Sequence, residues 1–538
     1  MRRKPRKQPD SSGCGRTPYI VVGLAVFVAI VCSVIDFQSL FNSAGHKKVV
    51  DPKPTTSEDA EAKLNSSVNL DELNKLAMRK QPPVVYDNWL RVSRSVATMK
   101  WVNGSSLTRA VKSGKPAVLK HKDIMSWSIF DLNLLELSEK VVLHLNGTRW
   151  QPEPVFVLGQ EREKGGMLGS PKDQPLSYTN VTLSQFVAAT FDEHNWLYWT
   201  GELAYWESTI NSQTDKASVT PSPAVNGAFH DWRDFRIKEQ GLAWDGKNAT
   251  NEEIDEKEDV WRPMLWLSHP GVVAQTHYDT QHNVFIQVLG SKRFFLFAPK
   301  TELYAYPNIH RSYRQSQVRF EESNYERFPH VNPKNTTAYE VVLHPGDVLY
   351  IPPYWHHRVE SLTLAVSLSI LSPSYVEASL AEVFWENVPF GAFQAKRGLR
   401  TRAVQLYLSL LMEKVGNITS NATLYEFAQS VYACRFATLD IKHKPFATCF
   451  EHEAQSRDDS PGADADSAHP DSAEGMEALL KTHEAKFRSA ARNVGNMLLR
   501  IDADNAIKIT FLRDYMEQLV RWAVGPDYTA SFVESCLA

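Results

Sequence analysis

A His-Tyr-Asp segment at 277–279 carries an imidazole and a carboxylate two residues apart. Because side chains alternate along a β-strand, His277 and Asp279 would point to the same face and could bind one metal ion. A second histidine would complete a two-histidine, one-carboxylate site, which leaves positions on Fe(II) open for cosubstrate and oxygen. Either His356 or His357 can supply it. On its own, His-X-Asp is equally a feature of a surface strand with two unrelated polar residues.

Short β-type runs must position these side chains. Three of them are rich in β-branched or aromatic residues and are bounded by Gly, Pro or Asn: 283–289, 292–297 and 363–370. The Gly-Ser pair at 290–291 separates two of the runs and predicts a two-residue hairpin with glycine first. The region 86–375 is therefore predicted to form a β-barrel or sandwich.

Several motifs in one order resemble the JmjC oxygenases and, within them, the asparaginyl hydroxylase factor inhibiting HIF. They are His-Tyr-Asp at 277–279, GSKRFFLF at 290–297, RQSQV at 314–318, YERFP at 325–329 and PGDVLYIPPYWHHRVES at 345–361. The resemblance implies an α+β protein with a double-stranded β-helix core of the jelly-roll, cupin or JmjC type and with flanking and C-terminal helices. It also implies Fe(II) as the metal and 2-oxoglutarate and O2 as cosubstrates.

The resemblance identifies His277, Asp279 and His357 as the iron ligands and therefore as the catalytic residues. His357 is preferred over His356 because the family's ligand falls five residues after the proline that opens this strand, here Pro352. His356 stays an alternative.

Lys292 resembles the family's cation for the distal carboxylate of 2-oxoglutarate. A buried ammonium group is costly unless it meets an anion, so a bound dicarboxylate would explain an inward-facing lysine. An outward-facing lysine beside Arg293 is the alternative.

Two more positions are expected to bind the cosubstrate. Tyr198 resembles a tyrosine that hydrogen-bonds 2-oxoglutarate, with core packing as its alternative, and Asn283 resembles a polar residue near the metal. The sequence departs from the family pattern at Ala274, where a hydroxyl residue is expected, and at Ser367, where an asparagine is expected.

Arg314 and Gln315 match a family segment that contacts the substrate backbone, so a polypeptide substrate is expected; a charged loop is the alternative. The resemblance thus predicts a 2-oxoglutarate-dependent dioxygenase that hydroxylates a protein, with asparagine as the first expected target. Two other interpretations stay open. One is a catalytically inactive, membrane-anchored cupin module that binds a partner, and the other is a cupin that uses another metal without 2-oxoglutarate.

The N-terminal region predicts a membrane protein. An uncharged apolar run at 18–35 follows a basic segment and approaches the ~17–20 residues that span hydrocarbon. Because basic flanks stay cytoplasmic, segment 18–36 is predicted to be the signal anchor of a single-pass type II membrane protein. The catalytic domain and its substrate would then lie in the ER or Golgi lumen or outside the cell, which disfavours histone demethylation. A cleaved signal peptide is the alternative.

Glycosylation sequons agree with that topology and favour a glycoprotein. Eight Asn-X-Ser/Thr sequons follow the apolar run: Asn65, Asn103, Asn146, Asn180, Asn248, Asn335, Asn417 and Asn421.

Composition and length predict several folded units. With 43% hydrophobic residues and 14 Trp, the 538-residue chain can bury a large core, and a net charge of -3 offers no basic surface to nucleic acid. Apolar residues recur at helical spacing in 403–411 and 507–524. The predicted units are a cytoplasmic tail 1–17, the signal anchor 18–36, a stalk 37–85, the catalytic domain 86–375, a helical region 376–455, a disordered acidic linker 456–475 and a C-terminal helical region 476–538. By resemblance, the C-terminal helices could form a homodimer.

Three cysteines lie beyond the apolar run. Cys434 and Cys449 are close enough in sequence to close a small disulfide loop in an oxidising compartment, which would leave Cys536 unpaired. Buried free thiols are the alternative.

Overall fold

The structure is a computed structural model. It describes residues 92–150, 177–202, 235–237, 263–436 and 473–537, with gaps inside the first, second and fourth of these ranges.

The described strands form two sheets. The strands are β1 Val92–Ser95, β2 Ala97–Lys100, β3 Ala117–Lys120, β4 His144–Trp150, β5 Ser177–Thr182, β6 Trp196–Glu202, β7 Met264–Ser268, β8 Val273–Tyr278, β9 His282–Leu289, β10 Lys292–Phe297, β11 Ala338–Leu343, β12 Asp347–Ile351, β13 His356–Ser361 and β14 Ala365–Ser372. One sheet has the order β1-β11-β10-β13-β8, and the other has the order β2-β3-β12-β9-β14-β7-β6-β4-β5. Mixed sheets of this kind, with helices added, are consistent with a double-stranded β-helix.

The two sheets face each other across an apolar interior. Phe285, Leu349 and Ile351 of the larger sheet pack there against Phe294 and Leu296 of the smaller sheet. Alternation along each strand sends every second side chain into this interior. The residues with candidate chemistry lie among these inward positions.

The Gly290-Ser291 turn joins the two sheets. The predicted hairpin is wrong, because β9 pairs with β12 and β14 whereas β10 pairs with β11 and β13. Gly290 has φ +68°, and a Cβ there would lie 2.0 Å from the carbonyl oxygen of Leu364. Glycine is therefore required at a corner where the chain passes from one sheet to the other.

Helices cover the outer face of the larger sheet. The helices α1 Gly104–Ser113 and α2 Leu183–Ala188 pack on Leu265, Leu267 and Leu368. A capping box starts α2: the Thr182 hydroxyl accepts from the Gln185 N–H, and the Gln185 side chain accepts from the Thr182 N–H.

The C-terminal part of the chain is helical. Its helices are α3 Tyr375–Glu382, α4 Arg397–Met412, α5 Gly416–Thr419, α6 Leu424–Tyr432, α7 Ala473–Arg500, α8 Asn505–Val524 and α9 Pro526–Phe532, followed by a π-helical turn at Val533–Leu537. The helical runs expected at 403–411 and 507–524 lie inside α4 and α8. The predicted linker at 456–475 lies outside the described residues except for its end, where α7 has already begun. The homodimer stays a prediction.

Cys434 and Cys536 are both disulfide-bonded, so the expectation that Cys536 is unpaired is wrong. The helix α6 ends two residues before Cys434 and contacts the π-helical turn that carries Cys536.

Each helix in the described part of the chain is either too short or too polar to span a lipid bilayer. The predicted tail, signal anchor and stalk, residues 1–85, lie outside the described residues.

Candidate functional site

Three side chains that the sequence singled out converge where β8 and β13 meet. His277 and His357 are direct register partners in this antiparallel pair, and their ring centroids are 4.2 Å apart. Asp279 follows the end of β8, and its Oδ2 lies 3.6 Å from Nε2 of His357. One potential ligand atom from each of the three lies within 4.8 Å of the others. Two imidazole nitrogens and one carboxylate oxygen on one side of a point form a donor set that fits Fe(II).

Backbone carbonyls orient both imidazole rings. Nδ1 of His277 lies 2.6 Å from the Gln275 carbonyl oxygen, and Nδ1 of His357 lies 3.1 Å from that of Trp355. Because a carbonyl oxygen can only accept, each Nδ1 carries the proton and each Nε2 keeps its lone pair for a metal. Burial and the neighbouring His277 lower the pKa of His357 to about 4, so this ring is neutral at physiological pH.

His356 lies outside the cluster. Strand alternation turns its ring away from His357, and it packs edge-on against Tyr278 at a centroid distance of 5.0 Å. Burial, Arg513 and the two neighbouring histidines lower the pKa of His356 to about 3. The geometry therefore favours His357 over His356 as the third ligand.

Two residues with left-handed backbone conformations flank the cluster. Tyr354 has φ +63°, and its N–H donates to the Asp279 carbonyl oxygen at 2.7 Å. Arg314 has φ +75°, and its carbonyl oxygen accepts from the Tyr278 N–H at 3.3 Å. Non-glycine residues in this conformation cost energy and cluster at functional sites, where surrounding contacts hold them.

Lys292 begins β10 and points into the interior. The alternative of an outward-facing lysine therefore does not hold. It is 3% exposed, and its Nζ lies 5.5 Å from the centroid of the Phe285 ring. Among the described residues its ammonium group makes no hydrogen bond or ion pair. Burial lowers the pKa of Lys292 to about 7. A buried cation without an anion indicates a site for an anionic ligand.

Tyr198 and Asn283 both lie on inward positions of the larger sheet. The Tyr198 ring is 5.6 Å from that of Trp266, and burial raises the pKa of its hydroxyl. Asn283 accepts a 2.8 Å hydrogen bond from the Ser369 hydroxyl. The Trp266 Nε1–H is buried without a hydrogen-bond partner in the described residues, so this wall also offers an unused donor.

Arg314 and Gln315 lie directly beside the cluster. Gln315 forms an isolated antiparallel bridge with His277, and the Ser316 N–H donates to the Thr276 carbonyl oxygen at 2.8 Å. The segment 314–316 thus runs along the edge of β8 like a short added strand. Part of the matching YERFP motif lies outside the described residues.

The two departures from the family pattern have different settings. Ser367 donates a 3.0 Å hydrogen bond to the Gln287 side chain, so a side-chain pair uses its hydroxyl. Ala274 lies on β8 opposite Val359. Two further inward serines, Ser268 and Ser361, were not expected from the sequence, because serine carries no distinctive spacing signal within a strand.

A family model described as a cupin-like domain matches residues 179–387. The chain contains a cupin-like JmjC domain. The matched residues include His277, Asp279, His357 and Lys292.

Curated relatives match shorter stretches of the chain. JmjC domain-containing protein D of Dictyostelium discoideum is 36% identical over 114 residues, which are 21% of this chain and 25% of that protein. tRNA wybutosine-synthesizing protein 5 of Mus musculus is 32% identical over 133 residues, 25% of this chain and 36% of that protein. Lysine-specific demethylase JMJ30 of Arabidopsis thaliana is 33% identical over 116 residues, 21% of this chain and 26% of that protein. The chain therefore matches between a quarter and just over a third of the length of these relatives.

The predicted localisation is corrected by these matches. Two of the relatives are named for tRNA wybutosine synthesis and for lysine demethylation, and neither name refers to a membrane or a lumen. No helix in the described ranges could span a membrane. The assignment as a lumenal, single-pass type II membrane glycoprotein is withdrawn, and with it the topological reason for disfavouring demethylation.

Proposed function

We propose that this chain is an Fe(II)- and 2-oxoglutarate-dependent oxygenase that hydroxylates a polypeptide. The observation that carries the proposal is the presence, inside one barrel, of a cluster that can bind a metal and of a buried cation, Lys292, that has no anionic partner among the described residues. On β10 and β13, Lys292 pairs with Ser361 and Leu296 pairs with His357. The two sites are therefore four strand positions apart, roughly 13 Å at ~3.3 Å per residue. A five-carbon dicarboxylate together with the lysine side chain can bridge that distance.

The residues of the chain then have separate tasks. His277, Asp279 and His357 hold the metal on one side and leave the opposite side open. Lys292 binds the distal carboxylate and so fixes the orientation of the cosubstrate, while Phe285 and Trp266 line the space and keep water out. When bound, Fe(II) with 2-oxoglutarate and O2 supplies the oxidation of a substrate C–H bond to C–OH, and the second oxygen atom enters succinate as CO2 is released.

The segment 314–316 supports the proposal that the substrate is a polypeptide. This segment is paired with the strand that carries His277, so groups presented by Arg314 and Gln315 lie next to the metal cluster. Extended peptides bind by adding backbone hydrogen bonds at exposed edges. By resemblance to factor inhibiting HIF, an asparagine side chain is the first target to test.

Succinate formation tests the proposed function without knowledge of the substrate. The purified full chain with Fe(II), 2-oxoglutarate, ascorbate and O2 is expected to release succinate. A chelator should stop the release, and Fe(II) but not Zn(II) should restore it. If folded, iron-loaded protein neither forms succinate nor binds 2-oxoglutarate, the proposal is wrong and a catalytically silent binding module becomes the better description.

The affinity for 2-oxoglutarate is expected to fall as the pH rises above about 7. Below that pH, Lys292 is already protonated and binds the carboxylate directly. Above it the free lysine is neutral and binding must take up a proton, so the dissociation constant should rise by about tenfold per pH unit. Calorimetric titrations from pH 6 to 9 measure this. Lys292→Arg keeps a permanent charge and should flatten the profile, and an equally flat profile for the native chain would contradict the prediction.

A further inference from the structure

Ser361 lies beside Lys292 in the barrel. The two are register partners in the antiparallel pair of β10 and β13, and both are almost completely buried. Side chains of direct partners lie on the same face with Cβ atoms about 5 Å apart. A hydroxyl group therefore accompanies the buried ammonium group.

Ser268 reaches the same place from the opposite sheet. Its Oγ lies 2.7 Å from Oγ of Ser361, and Ser268 is itself the register partner of Tyr198 on β6. Four polar side chains thus follow one another across the interior: Tyr198, Ser268, Ser361 and Lys292.

The serine pair and Lys292 carry more hydrogen-bond donors than there are acceptors for them among the described residues. One hydroxyl of the serine pair donates to the other, which leaves one O–H without an acceptor among the described residues. The Lys292 ammonium adds donors that are likewise unused within those residues. Buried donors are normally satisfied, so a surplus at one point indicates a ligand that only accepts. A carboxylate is such a ligand.

The Ser268–Ser361 pair offers hydroxyl groups in place of the one that the family pattern has at position 274, where this chain has alanine. The family pattern places a hydroxyl at 274, which here lies opposite Val359. Ser361 is two residues further along β13, so its side chain points to the same side of the sheet.

We propose that Ser268 and Ser361 bind the distal carboxylate of 2-oxoglutarate together with Lys292, in place of the hydroxyl that is missing at Ala274. The inference rests on the proposed function and identifies two further cosubstrate-binding residues. It assigns the serine pair a role in selecting a dicarboxylate over ligands that only chelate the metal.

Anaerobic titrations of the Fe(II)-loaded full chain test this. The probes are 2-oxoglutarate and oxalate, because oxalate can chelate the metal but has no distal carboxylate. The double variant Ser268→Ala/Ser361→Ala is expected to bind 2-oxoglutarate roughly tenfold to hundredfold more weakly, as for a lost hydrogen bond to a charged group, and to bind oxalate as before. Adding Ala274→Ser to the double variant should restore much of the lost affinity.

Ser372→Ala is the matched control. Ser372 is a fully buried serine on β14 whose hydroxyl accepts from the Ile237 N–H, away from the interior, so its loss should leave both affinities unchanged. Equal 2-oxoglutarate affinity in the native chain and the double variant would overturn the inference and leave the proposed function intact. Equal weakening of both probes would also overturn it, since the serines would then only support the fold. If the native chain bound oxalate but not 2-oxoglutarate, or bound neither, the proposed function and the inference would fail together.

Discussion

Asp279→Ala is expected to reduce succinate formation by more than ~100-fold, a loss beyond that produced by changing residues that merely support metal ligands. The carboxylate supplies the only anionic donor of the three-residue cluster. Without it, only the two imidazoles remain, and both the affinity for Fe(II) and the control of the open positions are lost. Succinate release and bound iron, measured on the same preparations, check the prediction. His277→Ala and His357→Ala are expected to behave in the same way.

His356→Gln is the control that decides between the adjacent histidines. His356 is neutral and packs on Tyr278 rather than joining the cluster, so a neutral polar replacement should keep most of the activity. His357→Gln should remove it. The opposite pattern would show that His356 is the ligand and that the orientation of β13 differs from the one described. Retained activity in Asp279→Ala would rule out the three-residue cluster as the metal site.

The metal cluster could be predicted from the sequence because its signal is local. His277 and Asp279 are two residues apart, so strand alternation predicts one face for both, although β8 ends at Tyr278 and Asp279 directly follows it. The choice of His357 over His356 needed the resemblance, because alternation says only that two adjacent residues point in opposite directions. The boundaries of β10 were also predicted, since an apolar run is bounded by Gly-Ser on one side and Ala-Pro on the other.

Features that depend on which strands pair were not predicted. The turn at Gly290 looked like a hairpin, but the strands on either side belong to different sheets. Ser268 and Ser361 meet only because β7 and β13 face each other across the barrel, 93 residues apart in sequence. Alternation patterns fix the side of a strand on which a residue lies and leave its partners open.

The contacts that attach the C-terminal helices to the barrel were likewise not predicted from the sequence. Arg435 is 2% exposed and donates to Oε2 of Glu517 at 2.9 Å and to Oδ1 of Asp514 at 2.7 Å. It also donates to the carbonyl oxygen of Ala305 at 2.9 Å, and its own carbonyl accepts from Gln317 at 2.9 Å. Such a network depends on separations of 79 to 130 residues. No local sequence pattern predicts the Arg435 network.

The Arg435 network also connects the helices with the candidate site. Ala305 forms an isolated bridge with Ser316, and Gln317 directly follows the segment 314–316, which is paired with β8 next to His277. Asp514 of α8 accepts a 3.3 Å hydrogen bond from the hydroxyl of Tyr278, the neighbour of His277. The C-terminal helices thus support the strand that carries His277 and ends just before Asp279, and we expect the barrel to depend on them.

Arg435→Met is expected to lower the free energy of unfolding by about 3–5 kcal/mol, the usual cost of removing one partner from a buried ion pair. The substitution keeps an apolar side chain of similar length but leaves Glu517 and Asp514 without their main cation. Denaturant unfolding of the native chain and the variant measures the change. Arg435→Met/Glu517→Met should recover part of the loss, because the uncompensated buried carboxylate of Glu517 is then gone.

Arg488→Met provides the comparison at an exposed pair. Arg488 on α7 contacts Glu484 and Glu413, and the three side chains are 42% to 55% exposed, so no measurable change is expected. A similar result for Arg435→Met would show that the buried network does not hold the helices to the barrel.

If unfolding of the helices separates from that of the barrel in Arg435→Met, the segment 314–316 should become less protected together with the helices. Hydrogen exchange of the Ser316 N–H, bonded to the Thr276 carbonyl in the native chain, would then rise along with that of α8.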